Sequence, residues 1–216
     1  MDPSTKTQIL DVAERLFAEQ GFAATSLRAL TAAAGVNLAA VNYHFGSKEA
    51  LLVAVFERRL RPLNERRIAG IDEVVATARA HGGTPRLEDL LATMFRPMFE
   101  MSREPGGEAC SKLCARIHLE AEAEVLETLF LSQFTAVRDR LMPALCDALP
   151  ELDQDEILWR LHFAIGAFAH TLQSTLRMTW LARGRPIEQD PDLLLERLIA
   201  FCAAGMRAAT PERTQR

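Results

Sequence analysis

The sequence predicts an all-α protein: an N-terminal three-helix helix-turn-helix domain, residues 1–50, joined to a larger helical domain, residues 51–216, with about nine helices in all. Three observations carry this. Apolar residues recur at three- and four-residue spacing along nearly the whole chain, and no segment shows the alternation of a half-buried strand. The stretch Gly35 to Lys48, GVNLAAVNYHFGSK, packs a turn, a short helix and a second helix start into very few residues. The segment His81-Gly82-Gly83-Thr84-Pro85 is a clear break, and helical patterns resume beyond it.

From Thr5 to Gln20, Ile9, Val12, Ala13, Leu16 and Phe17 form one stripe, with Asp11, Glu14, Arg15 and Glu19 between them. Gly21 closes this helix, and Phe22 plugs the core from the connection. Ser26 has the short hydroxyl of an N-cap for a second helix that buries Leu27, Leu30 and Ala34. Gly35 tolerates the positive φ that a tight turn needs. Asn37 then caps a helix from Leu38 to about His44, Gly46 ends it, and Ser47 caps the next. Phe17, Phe22, Leu27, Leu30, Val36, Val41 and Phe45 can share one small core. The outer face of Leu38 to His44 is left free, and a DNA major groove could receive it.

From Ser47 a long pattern runs through Leu51, Leu52, Val55, Phe56 and Leu60 toward Val74 and Val75, with Pro62 expected to kink or break it. Arg58, Arg59, Arg61, Arg66 and Arg67 make a basic cluster that reads as a solvated face near Glu57 and Glu65, and none is assigned to DNA. Helices are expected over Leu87 to Met101, Ala109 to about Leu119, and Glu122 to Leu149, the last kinked near Pro143. Asp153 or Asp155 opens a helix reaching about Leu181, and a final one spans Pro191 to Arg207.

Those last two helices carry more apolar surface than one internal face needs. Small residues, Gly166 and Ala167 on one and Gly205 on the other, would let two copies approach closely. A two-fold four-helix contact through Phe163, Gly166, Ala167, Leu194, Leu198, Phe201 and Gly205 is the economical arrangement, against a thick monomeric core as the alternative.

Composition bounds the function. With 216 residues, 49% hydrophobic and a net charge of −4, the chain cannot coat a polyanion generally, so any nucleic-acid contact must be local. Four scattered cysteines show no disulfide framework, Asp2, Asp11 and Glu14 do not fit a signal peptide, and no apolar run reaches about 18 residues. A cytoplasmic location without membrane contact is expected. There is no phosphate loop, nucleophile elbow or metalloprotease motif, and the histidines are dispersed, so an enzyme is not expected and no cofactor is implied. Cys110, Cys114 and His118 fall on one helical stripe, with Glu122 a turn further, so a thiol or metal sensor is a rival reading. Tetrahedral coordination from one straight stripe argues against it. An architectural DNA binder without a ligand is another.

Gly21-Phe22, Thr25-Ser26, Ala34-Gly35-Val36, Tyr43-His44-Phe45 and Ser47-Lys48-Glu49-Ala50-Leu51 resemble, in order and spacing, the TetR family of transcriptional regulators. The resemblance covers about the first quarter of the chain and implies a homodimeric repressor that binds a double-stranded DNA operator and responds to a ligand. It implies phosphate contacts at Ser26, Tyr43, His44 and Lys48, and a base contact from Arg28. Asn37, Leu38, Ala39, Ala40 and Asn42 complete the reading face. Ala29 stands where the family usually has an acid, and Asn42 where an aromatic is common, so target choice is expected to depart from the commoner pattern. Asn42 suits adenine, and Leu38 or the alanines a thymine methyl.

The runs Asn37 to Lys48 and Trp159 to Phe163 further resemble the branch that responds to long-chain fatty acids. Met94, Phe95, Met98, Phe99, Leu113, Ile117, Phe130, Phe134 and Phe168 could line an apolar site for a small hydrophobic ligand, although such residues at helical spacing also serve as plain core. Arg116, His118, Arg138, His162 and Arg177 are the candidate cations for a ligand carboxylate, Arg116 and His162 being placed in the pocket itself. An aromatic or other apolar effector, as for a regulator of efflux or catabolism, is the alternative.

Overall fold

A computed structural model of the chain describes residues 3–104, 107, 110, 113, 123–172, 175–188 and 190–210. Among these residues it contains nine helices and no strand. They are α1 (Pro3–Gln20), α2 (Leu27–Ala33), α3 (Leu38–Phe45), α4 (Lys48–Ala80), α5 (Leu87–Ser102), α6 (Ala123–Ala148), α7 (Gln154–Thr171), α8 (Thr175–Leu181) and α9 (Pro191–Met206). The helix expected from Ala109 to Leu119 lies largely outside the described residues.

The chain forms two compact units, residues 1–67 with 97–138 and residues 68–96 with 139–216. In the first, Ile9, Phe17, Leu30, Val41, Leu51 and Leu52 are fully buried, joining the stripe of α1 to the inner sides of α2, α3 and early α4. Phe22 meets Phe17 edge-on, with ring centroids 5.5 Å apart, as a plug should.

Glu14 lies beside the apolar stripe of α1 and is only 3% exposed. Its carboxylate accepts from Arg59 Nε at 3.0 Å and from Arg58, whose other arm donates to Asp11 at 2.6 Å. Arg58 and Arg59 are therefore ties from α4 to α1 rather than a solvated face. Arg67, also read as exposed, is 4% exposed and donates to Asn64 Oδ1 at 2.9 Å, while Asn64 donates to the Gln133 carbonyl at 2.6 Å. Burial of both residues follows from spacing, since Asn64 and Arg67 continue the inward stripe of Leu60, Leu63 and Ile71.

α4 runs unbroken through Pro62, and α6 through Pro143. Both prolines are exposed, so water can take the carbonyl each ring releases, and the helix is not broken at Pro62. The opposite happens after Thr171. One helix was expected to reach Leu181, but α7 ends at Thr171, whose hydroxyl bonds back to the Ala167 carbonyl at 2.8 Å.

In the second unit α7 and α9 pack on each other. Asp153 caps α7 by accepting from Glu156 N–H at 2.8 Å, and Asp190 with Pro191 opens α9. Arg160, buried on α7, finishes the far end of α9. It donates to the carbonyls of Met206 at 2.8 Å and Ala208 at 2.6 Å and to the Thr210 hydroxyl at 3.0 Å, and Glu156 accepts from its Nε at 2.8 Å. A guanidinium thus satisfies carbonyls that a helix end leaves open.

Candidate nucleic-acid interface

Three side-chain caps set the geometry of the N-terminal head. Ser26 Oγ accepts from Ala29 N–H at 3.1 Å, Asn37 Oδ1 from Ala40 N–H at 2.9 Å, and Ser47 Oγ from Ala50 N–H at 3.0 Å. The Ser26 cap forms although Ala29 supplies no acid to complete a capping box. Between α2 and α3 the chain turns at Gly35, with φ at 61°, and Val36 N–H closes the turn on the Thr31 carbonyl at 3.0 Å. A side chain at Gly35 would meet no neighbour but would be strained by that φ.

Val41 points inward from α3 and is fully buried, so the opposite face is offered outward. Leu38, Ala39, Asn42 and Tyr43 are exposed, Tyr43 at 73%, and Ala40 is half-buried. Ser26, Arg28 and Asn37 are exposed as well. The Lys48 ammonium lies 4.3 Å from the centre of the Phe22 ring. Burial pushes its pKa below the usual lysine range, against the opposing charge of Glu49. His44 is half-buried, its ring 5.1 Å from Tyr43, and its Nε2 is buried without a hydrogen-bond partner. A phosphate contact through Nε2 would require the ring to turn outward. The head therefore presents a smooth, weakly polar strip bordered by hydroxyls and cations.

The residues assigned to an apolar ligand divide between the two units. In the second, Met94 is buried, and Phe95 stacks on Phe168 with centroids 4.7 Å apart and planes 8° from parallel. In the first, Met98, Phe99 and Leu113 are buried and Phe134 is half-buried, with the Arg67 guanidinium 6.0 Å from its ring centre. Arg116, Ile117 and His118 lie outside the described residues, as do the side chains of Phe130 and Arg177. His162 and Arg138 are exposed, so His162 belongs to a surface rather than to a pocket. Arg67 is a buried cation beside Phe134 that reading by composition missed; its place on the inward stripe of α4 was the available signal.

The surface that holds His162 is apolar. Its ring lies edge-on to Trp159 at 6.0 Å, and Trp159 and Phe163 on α7 are 61% and 64% exposed, with Phe201 on α9 at 71%. Gly166 and Gly205 are exposed and Ala167 and Leu194 half-buried on the same two helices. Leu198 departs from the expected face. It is buried inside the protomer, on the stripe of α9 that also holds Leu195 and Cys202.

Among the described residues no three His, Cys, Asp or Glu side chains gather as a metal site. Cys110 is buried, while Cys114, His118 and Glu122 lie outside the described residues. No helix of the described residues is long and apolar enough to cross a membrane.

Comparison with known proteins adds to this geometry. Residues 9–55 match the model of the bacterial regulatory proteins of the tetR family, and residues 92–205 match the tetracyclin repressor-like C-terminal domain. The HTH-type transcriptional regulator BetI of Rhizobium meliloti is 31% identical over 96 residues, 44% of this chain and 44% of BetI. The match therefore spans less than half of that relative. Among solved structures, the transcriptional regulator FadR from Bacillus subtilis, in complex with stearoyl-CoA, superposes with a TM-score of 0.65 over 92% of this chain and 98% of that one, at 17% identity. SmeT in complex with triclosan gives a TM-score of 0.58 and 26% identity over 92% and 91%.

Proposed function

This chain belongs to the TetR family of bacterial regulators and is not an enzyme; from that premise we propose that it is a homodimeric cytoplasmic repressor, released from a roughly palindromic operator by a small hydrophobic ligand, a fatty acid or acyl derivative. Residues 1–50 read DNA and residues 51–216 bind the ligand and the second copy.

The observation that carries this reading is α3, capped at both ends and holding Val41 inward, with Leu38, Ala39 and Asn42 free to meet base edges. Arg28 can pair with guanine and Asn42 with adenine, while Tyr43, Lys48 and Ser26 border the strip where phosphates run. Two such helices related by a two-fold axis read half-sites about one helical turn, roughly 34 Å, apart. Exposed Trp159, Phe163 and Phe201, beside Gly166 and Gly205, supply the self-complementary face that a dimer needs.

The methionine and phenylalanine side chains at 94, 95, 98 and 99 favour an adaptable apolar ligand. The stearoyl-CoA held by FadR supports an acyl ligand, and the triclosan held by SmeT supports the second reading, an aromatic effector. Ligand lowers operator affinity by favouring a dimer conformation in which the two α3 helices no longer match the half-site spacing.

The test is to extract purified protein, identify any bound small molecule by mass spectrometry, and titrate long-chain fatty acids, their acyl-CoA forms and triclosan into a protein–operator complex selected from random duplexes. Release by the acyl compounds is expected. Saturating acyl ligand with no change in operator affinity would sink the acyl reading, and release by triclosan alone would establish the second. Asn42→Ala should relax preference at one base pair of the selected operator while leaving affinity for unrelated duplexes unchanged.

A further inference from the structure

The first 59 residues contain six basic side chains, Lys6, Arg15, Arg28, Lys48, Arg58 and Arg59. Three of them are committed to carboxylates: Arg15 to Glu19 at 3.5 Å, Arg58 to Asp11 and Glu14, and Arg59 to Glu14. Among the described residues Arg28, Lys48 and Lys6 form no ion pair. Arg28 and Lys48 already have a place at the DNA-facing strip. Lys6 has none.

Lys6 is exposed on the first turn of α1, and its ammonium lies 5.9 Å from the centre of the ring of Phe45, the last residue of α3. The Lys48 ammonium lies 4.3 Å from the centre of the Phe22 ring. Two ammonium groups, each held over an aromatic face, are thus brought to the head by helices other than α3 itself. Stability does not account for Lys6. A cation in the first turn of a helix opposes the helix dipole, no acid in that turn of α1 offsets it, and a contact near 6 Å is the outer limit of a cation–π attraction.

We infer that Lys6 is a further phosphate-contacting residue of the head, placing a positive charge from α1 against the DNA backbone beside the C-terminal end of α3. The inference rests on the DNA-binding reading above and extends the contact set beyond α2, α3 and the start of α4. A lysine suits this role because its ammonium is a compact point charge on a long stem, and phosphate contact requires no fixed fork geometry. Such a contact strengthens binding to every sequence alike, so it sets affinity and salt dependence rather than target choice.

The experiment measures binding of wild type, Lys6→Ala and Lys6→Arg to a fluorescein-labelled random-sequence duplex by anisotropy, over about 50 to 200 mM salt. Losing one phosphate contact should make the plot of log K against log salt shallower by about 0.9, and by about 1.8 for two copies, with affinity lower by about eightfold per contact at 0.1 M salt. Lys6→Arg should keep the wild-type slope. Thermal unfolding of Lys6→Ala should match wild type. Wild-type binding with an unchanged slope in Lys6→Ala overturns the inference, as does a lowered unfolding midpoint with that same slope, which would make Lys6 a packing residue on Phe45. Absence of salt-dependent binding by the wild type would overturn the DNA-binding reading itself, and this inference with it.

Discussion

Replacing Glu14 with alanine is expected to cost about 2 to 3 kcal/mol of stability. The carboxylate side chain is 4% exposed and receives Arg59 Nε at 3.0 and 3.1 Å together with one arm of Arg58. Removing one partner of a fully buried ion pair costs about 3 to 5 kcal/mol, because the charge left behind is desolvated and unpaired. Here the two arginine side chains are 26% and 27% exposed, so water reaches the released guanidinium groups, and Asp11 still holds Arg58. The loss should therefore fall at or below the lower end of that range. Glu14→Gln keeps the volume and one acceptor oxygen, and should lose less. Urea unfolding followed by helical circular dichroism gives the differences, and a double-mutant cycle of Glu14→Ala with Arg59→Ala isolates the pair. A loss below about 0.5 kcal/mol, the range of ordinary surface substitutions, would refute the reasoning and make the cluster a solvated pair.

Phe163→Asp puts a charge into the proposed two-fold face twice over, and should weaken dimerisation at least about a hundredfold while leaving the protomer helical; an unchanged mass in sedimentation equilibrium would refute the assigned face. Acid stability should depend on Glu88, whose carboxyl is lowered to about 2, chiefly by its bidentate hydrogen bonds with Arg207. A group whose folded pKa lies below its unfolded value, near 4.5, stabilises the fold fully above that value and loses the effect as pH falls toward 2. With side chains 31% and 45% exposed, solvent screening reduces the contribution to about 1 kcal/mol. Arg207→Ala should remove that part of the pH dependence between pH 5 and 2; identical urea midpoints for wild type and variant across that window would contradict it.

Much of the head is legible in the sequence because its signals are local. A positive-φ turn needs Gly35, an N-cap needs a short side chain such as Asn37 or Ser47, and a 3.6-residue period selects Val41 as the inward residue of α3. The last helix, expected from Pro191, begins there as α9, and the structure adds Asp190 as its cap. Pro62 does not break α4, because the cost of a proline depends on whether the freed carbonyl can reach water, and sequence alone does not show which side of a helix is wet.

By itself, then, the sequence determined the all-helical class, the turn and caps around α3, and the face of α3 that is turned outward. Only the tertiary structure decided where charges and apolar side chains go on helices with more than one sticky side. Phe168 and Leu198 turn into the protomer while Phe163 and Phe201, on the same two helices, remain outside. Glu14 sinks between Arg58 and Arg59, Arg67 goes inward with Asn64, and Lys6 comes to rest over Phe45. The physical reason is range. A cap or a turn is formed by groups within a few residues, whereas burial and ion pairing depend on neighbours brought together from elsewhere in the chain, such as the partners 44 and 45 residues apart that anchor α1 to α4.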